Sequence, residues 1–210
     1  GAQSAGHSPE EKLMRTLIAI SAFIDVVNKQ LSKIASWLVL ICCLISAGNA
    51  FSRYLINMSS NAWLEIQWYM FAGMFMLGAS YTLCRNEHVR VDILYSHLST
   101  RKQIWIDLFG GIFFLLPAAI ILAWMSWPVF YTSWAEHEMS GNAGGLIRWP
   151  VKLLMPVGFG LMVLQGISEI IKRIAIMRGD LADTLSGGGH HASAEAEAER
   201  LLAQTDHRPA

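Results

Sequence analysis

The chain has 210 residues, 53% of them apolar and 15% charged, with 16 Lys+Arg balanced by 16 Asp+Glu. A soluble domain carries about 25% charged residues, and a nucleic-acid binder shows a basic excess, so the composition fits neither. The charges gather between four long apolar runs, and that distribution points to a membrane-embedded helical chain.

Residues 1–12 read as an N-terminal tail. From there Leu13, Leu17, Ile20, Ile24, Val27, Leu31 and Ile34 alternate steps of four and three, one apolar stripe on a helix. Lys12, Asp25, Lys29 and Lys33 fall off that stripe. The spacing predicts an amphipathic helix over 13–33 lying along the inner membrane surface, with a short coiled coil as the rival. Arg15 and Asp25 interrupt the apolar residues and no small-residue cleavage site follows, so no signal peptide is expected.

Residues 34–176 hold four stretches, each about the length a membrane helix needs, at 34–56, 63–84, 104–134 and 149–176. They predict an all-α integral membrane protein with four transmembrane helices. The third stretch would be about 46 Å long at 1.5 Å per residue, more than the roughly 30 Å hydrocarbon layer. Pro117 and Pro128 each lack a backbone donor and are the expected places for a bend. With Arg53, Lys152, Lys172 and Arg173, near the ends of their stretches, counted with the adjoining segments, Lys and Arg number four before the first stretch, then one, four and two, and five after the last. That alternation places both termini in the cytoplasm. Trp37 and Trp105 then mark the inner interface, and Trp63, Trp134 and Trp149 the outer one. Gly73, Gly78, Ala79, Gly110, Gly111, Gly158, Gly160 and Gly166 permit close helix contacts. The tail, 177–210, has a break at Gly187-Gly188-Gly189 and reads as flexible and cytoplasmic. His190-His191 lacks further ligands at metal-binding spacing.

Ionisable groups inside spans are candidate functional residues. Glu65 lies just inside the second span and Arg53 at the outer end of the first. A hairpin centred near Ser59 carries them to similar depth, so a structural ion pair is expected. A coupling carboxylate at Glu65 is the alternative, in a small self-contained proton- or cation-coupled carrier. The inner loop holds Arg85, His88 and Asp92, read as pinning the ends of spans two and three. Cys42, Cys43 and Cys84 read as free thiols. Membrane-bound haem needs histidines deep in the spans, and all seven here lie outside them. No G-x-S-x-G and no Walker loop occurs, and no catalytic residue, cofactor or metal is expected.

Arg53-Tyr54, Trp63-Leu64-Glu65, Gly78-Ala79 and Arg85-x-x-His88-x-x-x-Asp92, in this order, resemble the small membrane subunit (DctQ type) of tripartite ATP-independent periplasmic, or TRAP, transporters. The resemblance covers about 34–176. It implies a bacterial inner-membrane complex in which a periplasmic binding protein captures an organic acid. A large multi-span permease subunit then carries it inward with sodium by an elevator-like motion. The small subunit braces the scaffold of the large one and helps dock the binding protein; its partners are those two proteins and membrane lipid, with no nucleic acid. Under this resemblance Arg53, Trp63, Glu65, Arg85, His88 and Asp92 are structural or interface positions. Ser59–Tyr69 (SSNAWLEIQWY) and Glu138–Pro150 (EMSGNAGGLIRWP) resemble a subgroup associated with 2-oxo acids, other monocarboxylates, or mannitol and chloroaromatic compounds. The second stretch is an outer loop in which Glu136, Glu138 and Arg148 offer a charged surface for docking the binding protein.

Overall fold

The computed structural model describes residues 9–57, 60–85 and 98–181. Its helices are α1 (Pro9–Leu55), α2 (Asn61–Cys84), α3 (Thr100–Gly110), α4 (Leu116–Ala135) and α5 (Trp149–Arg178), with a π-helical turn, Gly111–Leu115, joining α3 to α4. No strand occurs among the described residues; Met139 and Ile147 form an isolated antiparallel bridge.

α1 has 47 residues, about 70 Å at 1.5 Å per residue. The sequence reading divides this region into an interfacial helix and a span; the structure shows no break between them. Neither Gly nor Pro falls between Glu10 and Ala47, so nothing interrupts the backbone ladder. The buried side also differs from the apolar stripe. Met14, Ser21, Asn28 and Ala35 are buried at a seven-residue repeat, while Leu13, Ile20 and Ile34 are exposed. Small and hydrogen-bonding residues face the neighbouring helices, where they allow close approach and cross-helix bonds. Where the outside is apolar as well, large aliphatics gain little by pointing inward.

α5 is the hub. It packs on α1, on α2 and on the α3–α4 rod, and that rod makes its extensive helix contacts with α5 rather than with α1 or α2. Gly158 brings α5 hard against α2: a Cβ there would lie 2.8 Å from Met76 Cβ. α5 stops at Gly179, whose left-handed backbone (φ 83°) lets Asp180 N–H reach Ala175 O at 3.0 Å, a glycine C-terminal cap.

Next to Pro117, one of the two places where a bend is expected, the structure has a π turn. The Pro117 ring crowds the carbonyl four residues back, and the widened turn closes with Leu116 N–H donating to Gly111 O. Pro128 sits inside regular α4. Three helical stretches are long and apolar enough to cross a membrane: Pro9–Leu55, Arg101–Ala135 and Trp149–Arg178. α2, with 24 residues, is about 36 Å long and less hydropathic, because Glu65, Gln67, Trp63, Trp68 and Tyr69 crowd its first half.

Candidate functional site

Two polar assemblies organise the helices, one at each end of α2. The first lies where α2 starts. Between α4 and α5 the chain forms a small hairpin, with Arg148 N–H donating to Glu138 O at 2.9 Å and Ser140 N–H to Leu146 O at 3.0 Å. Its turn closes through Gly145 N–H to Asn142 O at 3.0 Å, with Gly144 left-handed at φ 71°. Gly145 is required by space: a Cβ would stand 2.4 Å from Ser140 Cβ.

Glu65 holds this hairpin. It is 4% exposed, and its carboxylate accepts the Ser140 hydroxyl, the Asn142 Nδ2 at 2.8 Å and the Leu146 N–H at 2.7 Å. One helical turn to either side, Asn61 Nδ2 donates to Ala143 O at 3.1 Å and Tyr69 OH to Ile147 O at 3.1 Å. Asn61, Glu65 and Tyr69 are four residues apart in succession and so share one face of α2. The two stretches that carry the subgroup resemblance therefore touch. Arg53 is not among the partners of Glu65: it is exposed, with its guanidinium 5.5 Å from the Tyr54 ring centroid. The hairpin meets the carboxylate with neutral donors, which avoids desolvating a second charge.

At the base of the hairpin Glu138 pairs with Lys152 and approaches Arg148 at 3.9 Å. The Lys152 ammonium holds the Glu138 carboxyl below its ordinary range. Glu136 is exposed.

The second assembly joins α1, α2 and α5 near the end of α2. Asn28 Nδ2 donates to Gln165 Oε1 at 2.6 Å and Ser80 Oγ to Asn28 Oδ1 at 2.8 Å, tying all three helices through one amide. Ser21 and Ser168 hydroxyls meet at 2.7 Å, and Gln165 Nε2 donates to Asp25 Oδ1 at 2.9 Å. Lys172 Nζ lies 3.1 Å from Asp25 Oδ2 and also pairs with Glu169. Asp25, Cys84 and Glu169 bring two carboxylates and a thiol within 4.8 Å of one another, a donor set of the kind that holds a metal. The ammonium of Lys172 already stands between the two carboxylates as the local cation. Arg173 and Asp107, 3.0 Å apart, fasten α3 to α5, and Arg178 and Glu10, 2.8 Å apart, fasten the far ends of α5 and α1.

None of Asp25, Asn28, Ser80, Gln165, Ser168 or Lys172 stands out when the sequence is scanned for catalytic patterns. Only Asn28 carries a sequence signal, the seven-residue repeat it forms with Ser21 and Ala35 in α1. Of the other expected positions, Trp63 is exposed near the start of α2, and Arg85 caps its end, donating its backbone N–H to Tyr81 O at 2.9 Å. His88 and Asp92, like the tail beyond residue 181, lie outside the described residues. Cys42, Cys43 and Cys84 are free.

An all-helical chain with these long apolar helices, whose polar groups serve helix and hairpin contacts, is a multi-pass membrane subunit. The family described as tripartite ATP-independent periplasmic transporters, DctQ component, matches residues 42–175, and the chain belongs to it. The match runs from the middle of α1 to the last turn of α5. It identifies a small TRAP transporter subunit, from a family of transporter components that is generally non-catalytic. No curated protein and no solved structure matches.

Proposed function

We propose that this chain is the non-catalytic brace of a sodium-coupled TRAP importer for organic acids, fitted against the scaffold of the large permease subunit. α2 is the fourth span, both termini lie in the cytoplasm, and the hairpin at 138–148 faces the periplasm. The Lys and Arg tally supports this orientation, since it places the loops after α1 and α4 on the same, less basic side. The single observation that carries the reading is the family match over 42–175. Geometry supports it: the intramembrane carboxylate of Glu65 already has both oxygens engaged, which suits a structural role better than ion coupling in a self-contained carrier. The substrate class follows the subgroup resemblance: 2-oxo acids, other monocarboxylates, or mannitol and chloroaromatic compounds.

The hairpin is also the docking surface for the periplasmic binding protein. Its exposed Met139 and Ile147 stand beside Glu136 and Arg148. The test is co-expression with the large subunit. The two should co-purify, and uptake should require both chains and the binding protein. Transport by this chain alone would replace the brace with the carrier. Reversing Glu136 to Lys should slow uptake at limiting binding protein while the membrane complex stays intact, because Glu136, unlike Glu138, has no ion-pair partner in the hairpin base among the described residues.

A further inference from the structure

α1 and α2 do not close on each other near the turn that joins them. A half-open groove of about 430 Å³ runs there between Ile41 and Ser52 of α1, with Trp63 of α2 as its far wall. Its polarity changes along its length. The end toward the membrane centre is lined by Ile41, Leu44 and Ile45, and the end beside the turn by Asn49, Ser52 and Ser60. Gly48 forms the floor between them, with nothing within 4 Å of where a Cβ would be. The Asn49 side chain makes no hydrogen bond among the described residues, and Arg53, exposed, stands on the rim.

The dimensions choose the occupant. Ile41 and Ser52 are eleven positions apart, about 16 Å of helix, which matches one leaflet, half of the roughly 30 Å hydrocarbon layer. With a volume of about 430 Å³, the groove has room for one hydrocarbon chain laid along it. Its lining passes from apolar to polar in the direction that a phospholipid does.

We propose that this groove holds one phospholipid, its acyl chain along Ile41, Leu44 and Ile45 and its ester and phosphate groups at Asn49, Ser52 and Ser60, with Arg53 beside the phosphate. The inference requires only that α1 and α2 stand in a bilayer, and is independent of the solute carried. The test is native mass spectrometry of the full chain in mild detergent with added palmitoyl-oleoyl phosphatidylglycerol. One lipid per chain should survive conditions that strip the remainder. Gly48→Leu, which fills the floor, and Asn49→Leu, which removes the polar end, should each lower occupancy at least fivefold. Gly160→Leu, on α5 with open space around it, should leave occupancy unchanged. Helicity and monodispersity identify any variant that misfolds, and where Gly48→Leu does so, Asn49→Leu decides. Retention of the lipid by the folded groove variants, or equal loss in Gly160→Leu, overturns the proposal. So does loss of the lipid when the large subunit binds, which would assign the groove to protein.

Discussion

A carboxylate one turn inside an apolar helix is tolerated when donors surround it, and Glu65 has three from a single hairpin. Charge-assisted hydrogen bonds contribute about 1.5–3 kcal/mol each, and the donors that Glu65 meets sit on exposed or half-buried residues that water can reach in its absence. Glu65→Ala should therefore cost about 1.5–3 kcal/mol and free the Leu146 amide to exchange. Glu65→Gln keeps one acceptor oxygen and should cost less. Thermal unfolding in detergent, with hydrogen exchange read at Leu146, checks both. Glu138 behaves differently because its partner is a charge. Its carboxyl is lowered from 4.5 by Lys152, so the stability it contributes is fully present above the unfolded value and fades as pH falls through the lowered one. Proteolysis of the hairpin should therefore be constant above the ordinary value of 4.5 and accelerate as pH falls below it. Glu138→Gln should cleave faster at neutral pH and show a flatter pH profile.

Helices were legible in the sequence as long apolar runs, and their existence follows from composition alone. The face each one buries was less legible. A helical apolar stripe presumes water outside; of its seven positions Leu13, Ile20 and Ile34 are exposed, while Leu17, Ile24, Val27 and Leu31 are half-buried. The fully buried positions of α1 are instead its small and polar repeat, with Met14. Glu65 was recognisable as an acid in an apolar run, yet its partners lay 75 to 81 positions away in sequence, and only the fold brings the hairpin to it. The nearer Arg53 was the natural local choice. The α2–α5 contact shows the same logic at glycines. Gly158→Ala forces its Cβ against Met76 at 2.8 Å, and such overpacking should cost about 1–3 kcal/mol. Gly160→Ala meets nothing within 4 Å and should be neutral or stabilising by up to about 1 kcal/mol through helix propensity. Denaturation midpoints of the pair separate a packing role from a general effect of glycine.

At the scale of the molecule, α5 and the polar layer around it decide whether four rods behave as one body. The Asn28 amide bonds α2 and α5 at once, and Lys172 holds a carboxylate from α1 and another from its own helix. Such a cluster near the end of a span resembles an ion-coupling site in its residue types, and the two roles make different demands. A coupling site must admit and release a cation, whereas here an ammonium tethered to α5 is the cation. Lys172→Met leaves Asp25 and Glu169 facing each other uncompensated at a half-buried site and should destabilise the fold by about 1.5–3 kcal/mol, less than breaking a fully buried pair costs. Neutralising the acids as well, with Asp25→Asn and Glu169→Gln added to Lys172→Met, removes the unpaired charge while keeping most hydrogen-bonding groups. The triple variant should recover most of the lost stability. Exchanging sodium for potassium should leave the wild-type unfolding temperature unchanged, because the Lys172 ammonium already pairs with both carboxylates. A sodium-dependent rise in that temperature, abolished in the triple variant, would turn the fixed brace into an ion site.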